Sequence, residues 1–147
     1  MIFLDANIFL RYLVYASSPQ EQEMQEIASR MFEAVERGEE SITTTEVVIH
    51  EVCFILGSSK QYGYPVEKVV FMVSGILNMA GFWLPRGEKQ IFLDALELFK
   101  AHPKLEFSDS VIAIRSHRAG LPLATFDKAL LQLPIVTPWQ PEDHGQP

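Results

Sequence analysis

Acidic side chains normally occupy wet faces, so carboxylates at strand ends or on apolar helix stripes are where chemistry is first sought. Asp5 closes the apolar run Met1-Ile2-Phe3-Leu4. In an open parallel sheet that position lies at the carboxyl edge, where ligands bind. The same residue could serve as an N-cap for the segment that follows. Asp127 repeats the arrangement at the end of Leu123-Ala124-Thr125-Phe126. Glu51 has Val47 and Val48 before it and Phe54 and Ile55 after it at helical spacing, which predicts a place on the apolar stripe. A carboxylate there needs a partner, most naturally a cation. Asp109 has Ile112 and Ala113 three and four residues on and is placed by the same spacing on an inner face near a helix start. Its alternative role is to favour the helix dipole. Glu46 differs, because Thr43-x-x-Glu46 has capping-box spacing. Asp94 and Glu97 share a face with Gln90 and are read as solvated.

Four carboxylates from distant segments, with no His or Cys at ligand spacing, describe an all-oxygen site suited to Mg²⁺ or Mn²⁺. The usual chemistry of such a site is phosphodiester hydrolysis. Other motifs fail. His50-Glu51 begins an H-E-x-x pattern, but Phe54 stands where a zinc protease needs its second histidine. GSSKQYG lacks P-loop spacing, no G-x-G-x-x-G is present, and His50, His102, His117 and His144 form no i, i+4 pair.

The elements that must position these residues follow from pattern. MIFL reads as a buried strand, followed by a helix to Tyr15, a Ser17-Ser18-Pro19 loop and an acidic helix to about Gly38. In that helix Met24, Ile27, Ala28, Met31, Phe32 and Val35 recur at core spacing. Ser41-Ile42-Thr43 reads as a second strand, Thr43-Thr44-Thr45-Glu46 opens the next helix, and further helices follow from Pro65 and from Glu88 to Ala101. Phe82 to Pro85 is strand-like. LEFSDSVIAIRSHRAG gives a helix and a turn at Gly120, then a strand at Leu123 to Thr125, a short helix, and a last strand at Ile135-Val136. Alternating strands and helices predict an α/β fold, with a short, mostly parallel sheet flanked by helices. Residues 1–137 form the predicted domain, and 138–147 a polar, proline-rich tail.

The 147 residues suit one compact domain, with 48% hydrophobic and 21% charged residues. Collagen-like, disordered and disulfide-stapled classes are excluded. The net charge of −7 argues against a bulk basic surface, but residues 21–40 hold seven Glu and two Arg and carry most of it. The remainder is only −2, so a nucleic-acid substrate stays possible. The apolar stretches are broken by charges well short of the ~20 residues a membrane span needs, and the N-terminus has no signal-peptide pattern. Cys53, the lone cysteine, reads as a buried hydrophobe and agrees with a cytoplasmic location.

Taken together, MIFLDANIFLRYL, VVIHEVCFIL, LEFSDSVIAI and LATFDKAL resemble the four signature blocks of PIN-domain ribonucleases. Within that family the similarity is to bacterial VapC-type toxins. The resemblance spans roughly residues 1–137. It implies catalytic and metal-binding roles for Asp5, Glu51, Asp109 and Asp127, with Asn7 and Thr125 in support. It also implies an RNA substrate, dependence on Mg²⁺ or Mn²⁺, a homodimer and inhibition by a cognate antitoxin. Ala6 and Ser110 depart from common family residues without touching the ligand positions. Arg11, Arg115 and Lys128, with Lys104 and Arg118, lie near the acidic blocks as candidate phosphate contacts. Two alternatives are a non-catalytic PIN-like module that binds RNA or protein, and a haloacid-dehalogenase-like phosphohydrolase. The latter lacks its second aspartate, since Asn7 stands there.

Overall fold

The computed structural model describes residues 1–141; residues 142–147, and with them most of the predicted tail, lie outside the described residues. The chain is a helix-rich α/β protein with a small parallel sheet. Its elements run β1 (Ile2–Phe3), α1 (Ala6–Leu13), α2 (Pro19–Glu36), β2 (Ile42–Thr43), α3 (Glu46–Gly57), α4 (Val66–Leu77), α5 (Glu88–Ala101), α6 (Phe107–Ala119) and α7 (Lys128–Leu131). They cluster into two compact units, the first Met1–Lys89 and the second from Gln90 onward.

In the first unit β1 pairs in parallel with β2, Ile2 opposite Ile42 and Phe3 opposite Thr43. Phe82 extends the sheet beyond β2 through a parallel bridge to Ile42. The parallel order forces a crossover, which α1 and α2 supply. Helix α2 starts where a capping serine and a proline coincide. Ser18 Oγ accepts from the Glu21 N–H at 3.2 Å, and Pro19, which has no N–H to satisfy, fills the first turn. Only the C-terminal half of the predicted stripe of α2 is buried. Ala28, Phe32 and Val35 are in the core, whereas Met24 and Ile27 are exposed. The Phe9 ring lies 5.7 Å from that of Phe32 and 6.3 Å from that of Phe82, and Tyr12 stacks on Phe32 at 4.4 Å. Cys53 is buried, and desolvation pushes its thiol up to about 12. The folded chain thus holds the neutral thiol, and this contribution to stability falls away as pH rises from the ordinary value of 9.0 toward 12.

The second unit gathers α6 and the residues around α7 over Leu105, Ala113, Leu130, Leu133 and Val136. Phe92 of α5 and Phe107 of α6 meet at 6.4 Å. Gly120 ends α6 with φ +65°, a left-handed turn that glycine adopts without strain. The predicted last strand is displaced. Val136 N–H bonds back to the Leu133 carbonyl, and its side chain joins the core. Pairing instead begins at Pro138, which bridges Leu123, with the Trp139 N–H on the Leu123 carbonyl at 2.9 Å. The strand expected at Leu123 to Thr125 is thus reduced to this single bridge, which ties down the start of the segment read as a tail.

Candidate functional site

In the first unit the parallel register brings the ends of β1 and β2 side by side. Leu4 N–H bonds the Thr43 carbonyl at 2.9 Å, and Thr44 Oγ1 donates to the Leu4 carbonyl at 2.8 Å. The chain then turns into α1 at Asp5 and into α3 at Thr45, so two helices start from one sheet edge. Asp5 is the N-cap of α1: its Oδ1 accepts from the Ala6 N–H at 2.7 Å. The side chain is exposed, and its second oxygen has no partner among the described residues. Asn7 is exposed on the first turn.

Thr44 is a positioning residue that sequence reasoning missed. It is 6% exposed, and its hydroxyl satisfies the carbonyl directly before Asp5. Its only sequence signal is its place in the run Thr43-Thr44-Thr45. Thr44→Val keeps the shape but removes that donor. It is expected to cost about 1–3 kcal/mol in chemical denaturation, while Thr44→Ser restores most of the loss.

Two sequence expectations for α3 are corrected. Its N-cap is Thr45, whose Oγ1 faces the Val48 N–H at 3.5 Å, so the predicted Thr43–Glu46 box does not form. Thr43 is engaged in β2 instead. The buried stripe is Ile49, Val52, Cys53 and Leu56, and Glu51 lies outside it. Glu51 is exposed, as are Val47 at 73% and Phe54 at 57%, the neighbours that had suggested a dry face. Its carboxylate makes no hydrogen bond or ion pair with the described residues. A carboxylate in water needs no partner for stability, so burial no longer argues for a cation at Glu51.

The second unit carries the other two. Asp109 is half-buried in the first turn of α6 and forms a capping box with Glu106. Its Oδ2 accepts from the Glu106 N–H at 3.0 Å, and the Glu106 side chain accepts from the Asp109 N–H. Asp127 is exposed and caps α7, its Oδ1 accepting from the Ala129 N–H at 2.8 Å. Thr125 Oγ1 in turn accepts from the Asp127 N–H at 3.0 Å, which places Thr125 in support of Asp127.

The candidate cations are unevenly available. Arg11 pairs with Glu21 at 3.3 Å. The Ser17 N–H and hydroxyl, followed by Arg11, hold the Glu21 carboxyl below its usual range. Arg115 lies 5.9 Å over the Phe92 ring, and Arg118 pairs with Asp94, which also accepts from Gln90 and so is not simply solvated. Lys104 and Lys128 are exposed.

The donor set suits a hard divalent ion. Among the described residues, each aspartate has one oxygen fixed by a backbone N–H and the other without a protein partner, and no Lys or Arg pairs with any of the four carboxylates. Among the described residues, no group of three or more His, Cys, Asp or Glu is gathered as a metal cluster. No helix among them is long and apolar enough to cross a membrane.

Nearly the whole chain, residues 2–136, matches the family model of the PIN domain. No curated protein matches it at a significant level.

Proposed function

The chain belongs to the PIN domain family, whose members are typically nucleases and generally bind divalent metals, and on that premise we propose that it is a Mg²⁺- or Mn²⁺-dependent endoribonuclease. The observation that carries the reading is the state of the aspartates at the signature positions. Asp5, Asp109 and Asp127 are each oriented through one backbone-bonded oxygen, which leaves the other available to a ligand. A capped aspartate has its rotamer fixed before any metal arrives, so little side-chain entropy is lost on binding. The proposed ligands are these three with Glu51, and their assignment to one reaction rests on the order of the four sequence blocks. When bound, the metal supplies a water nucleophile at neutral pH and stabilises the departing oxyanion. Thr125 and Thr44 fix the backbone beside Asp127 and Asp5.

The similarity to VapC-type sequences further supports a role as the toxin of a type II toxin–antitoxin pair, acting in the cytoplasm as a homodimer restrained by a cognate antitoxin. The deciding measurement is Mn²⁺-dependent cleavage of a mixed single-stranded RNA pool by the purified chain. Glu51→Gln is expected to abolish cleavage with no loss of stability, because the side chain is exposed and makes no hydrogen bond or ion pair with the described residues. Undiminished cleavage by this variant would remove Glu51 from the site. Absence of metal-dependent cleavage by the wild-type chain would favour the non-catalytic PIN-like module.

A further inference from the structure

In the second unit a cleft of about 350 Å³ opens beside Asp127, walled by Ala124, Thr125, Phe126, Leu131, Pro138 and Trp139. This is the lower end of the range of ligand pockets, roughly 300–1,000 Å³. Phe126 is 103% exposed, so its ring receives no cover from the described residues. A single exposed apolar residue is ordinary, but Phe126 shares this cleft with the exposed Leu131 and Trp139, and a contiguous apolar surface of that kind marks an interaction site. The position is rigid because the turn is tied on both sides of the ring: the Asp127 N–H bonds Thr125 Oγ1 at 3.0 Å, and Asp127 Oδ1 takes the Ala129 N–H at 2.8 Å. The opposite wall is fixed through the Pro138 bridge to Leu123 and the Trp139 N–H bond to the Leu123 carbonyl. Next in sequence stands Lys128, exposed and without an ion pair among the described residues.

An aromatic face, an apolar slot of small-ligand size and a lysine without an ion pair among the described residues thus fall within one short stretch of chain. A purely apolar partner would use the ring and the slot but leave the ammonium idle. A nucleotide uses all three, since every base has a π-face and carries a phosphate beside it. We infer that this cleft takes one unstacked base of single-stranded RNA, stacked on Phe126, with Lys128 on the adjoining phosphate. The inference rests on the proposed RNA substrate, and it assigns Phe126 as a base-binding residue next to the proposed metal ligand Asp127.

The test is binding of a short single-stranded oligoribonucleotide containing 2-aminopurine, whose fluorescence is quenched by stacking, measured in EDTA so that no cleavage intervenes. Phe126→Ala is expected to weaken binding roughly tenfold to a hundredfold and to abolish the quenching. Phe126→Trp restores both. The melting temperature of either variant stays at the wild-type value, because the ring packs against none of the described residues. Lys128→Gln lowers the salt slope of binding by about 0.7 without changing the quenching. Equal affinity and quenching in wild type and Phe126→Ala would overturn the base site. If the wild-type chain still cleaves RNA, the nuclease reading survives that result. Phe126-dependent binding with no cleavage by the wild-type chain would keep the base site and remove the nuclease reading.

Discussion

Replacing Asp5 by Asn is expected to lower Mn²⁺-dependent RNA cleavage by roughly 10²–10³-fold, the scale on which one charge-stabilising group is lost from an active site. The fold should hardly register the change. Asn is as good an N-cap as Asp, and its side-chain oxygen can still accept from the Ala6 N–H, now bonded at 2.7 Å. Only the carboxylate's attraction to the start of α1 is lost, about 0.3–1 kcal/mol. The amide also removes the anionic oxygen that has no partner among the described residues, so the rise in melting temperature induced by Mn²⁺ should shrink along with cleavage. Asp5→Ala separates the two roles, because it loses the cap as well and should cost about 1 kcal/mol more. If Asp5→Asn cleaves like wild type, Asp5 is a cap and nothing else. Expression of the wild-type chain in the native host should arrest growth, and the same substitution should relieve it.

That an aspartate can be both cap and ligand explains how much of the site was legible in the sequence. A strand ending in Asp and running into a helix reads directly from Met1-Ile2-Phe3-Leu4-Asp5, and the cap seen at Asp5 was open from the start. The burial expected of that strand is not found, since Ile2 is 37% and Phe3 64% exposed and only Leu4 is in the core. The limits of α5 were legible for the same local reason, its turn residues and its periodicity agreeing. The face of α3 was not. Val47, Val48, Ile49, Val52, Cys53, Phe54, Ile55 and Leu56 surround Glu51 on all sides, so apolar spacing fits more than one stripe and cannot choose the dry one. The packing against α1 and α4 makes the choice. The start of α3 was ambiguous because three threonines in a row are equivalent caps until β2 takes Thr43 and the Leu4 carbonyl takes Thr44. The box at α6 was missed because it begins with Glu106, which is not among the preferred N-caps. The pairing of Arg11 with Glu21 joins two helices across a loop, and no local pattern announces it.

Gly81→Ala is expected to have the largest effect on stability, and its cause is equally invisible in the run Met79-Ala80-Gly81-Phe82. Gly81 sits where the last strand-like segment of the first unit enters the sheet. Its N–H bonds the Val35 carbonyl at 2.9 Å and its carbonyl accepts from the Ile42 N–H at 2.9 Å. A Cβ there would lie 2.0 Å from the Glu40 carbonyl oxygen and 2.9 Å from that of Val35. Both obstacles are backbone, so no rotamer change relieves them. Glu40 is itself held by its N–H bond to the Ala34 carbonyl at the end of α2. The turn into β2 must move, and with it the pairing of Ile42 with Phe82. Overpacking in a core costs about 1–3 kcal/mol and occasionally more. A clash of this depth belongs at or above the upper end, which for a chain of this size lowers the melting temperature by roughly 6–12 °C. Gly75→Ala is the matched control. Gly75 is exposed within α4, and a Cβ there meets nothing within 4 Å. Alanine at that position should raise stability by about 0.4–1 kcal/mol, by restricting the unfolded chain and suiting the helix. Opposite signs for one methyl group added at two glycines identify the close approach at Gly81 as the cause. Equal melting temperatures for wild type and Gly81→Ala would mean that the turn after α2 yields, and that the sheet edge carrying Thr44 and Asp5 is not braced from this side.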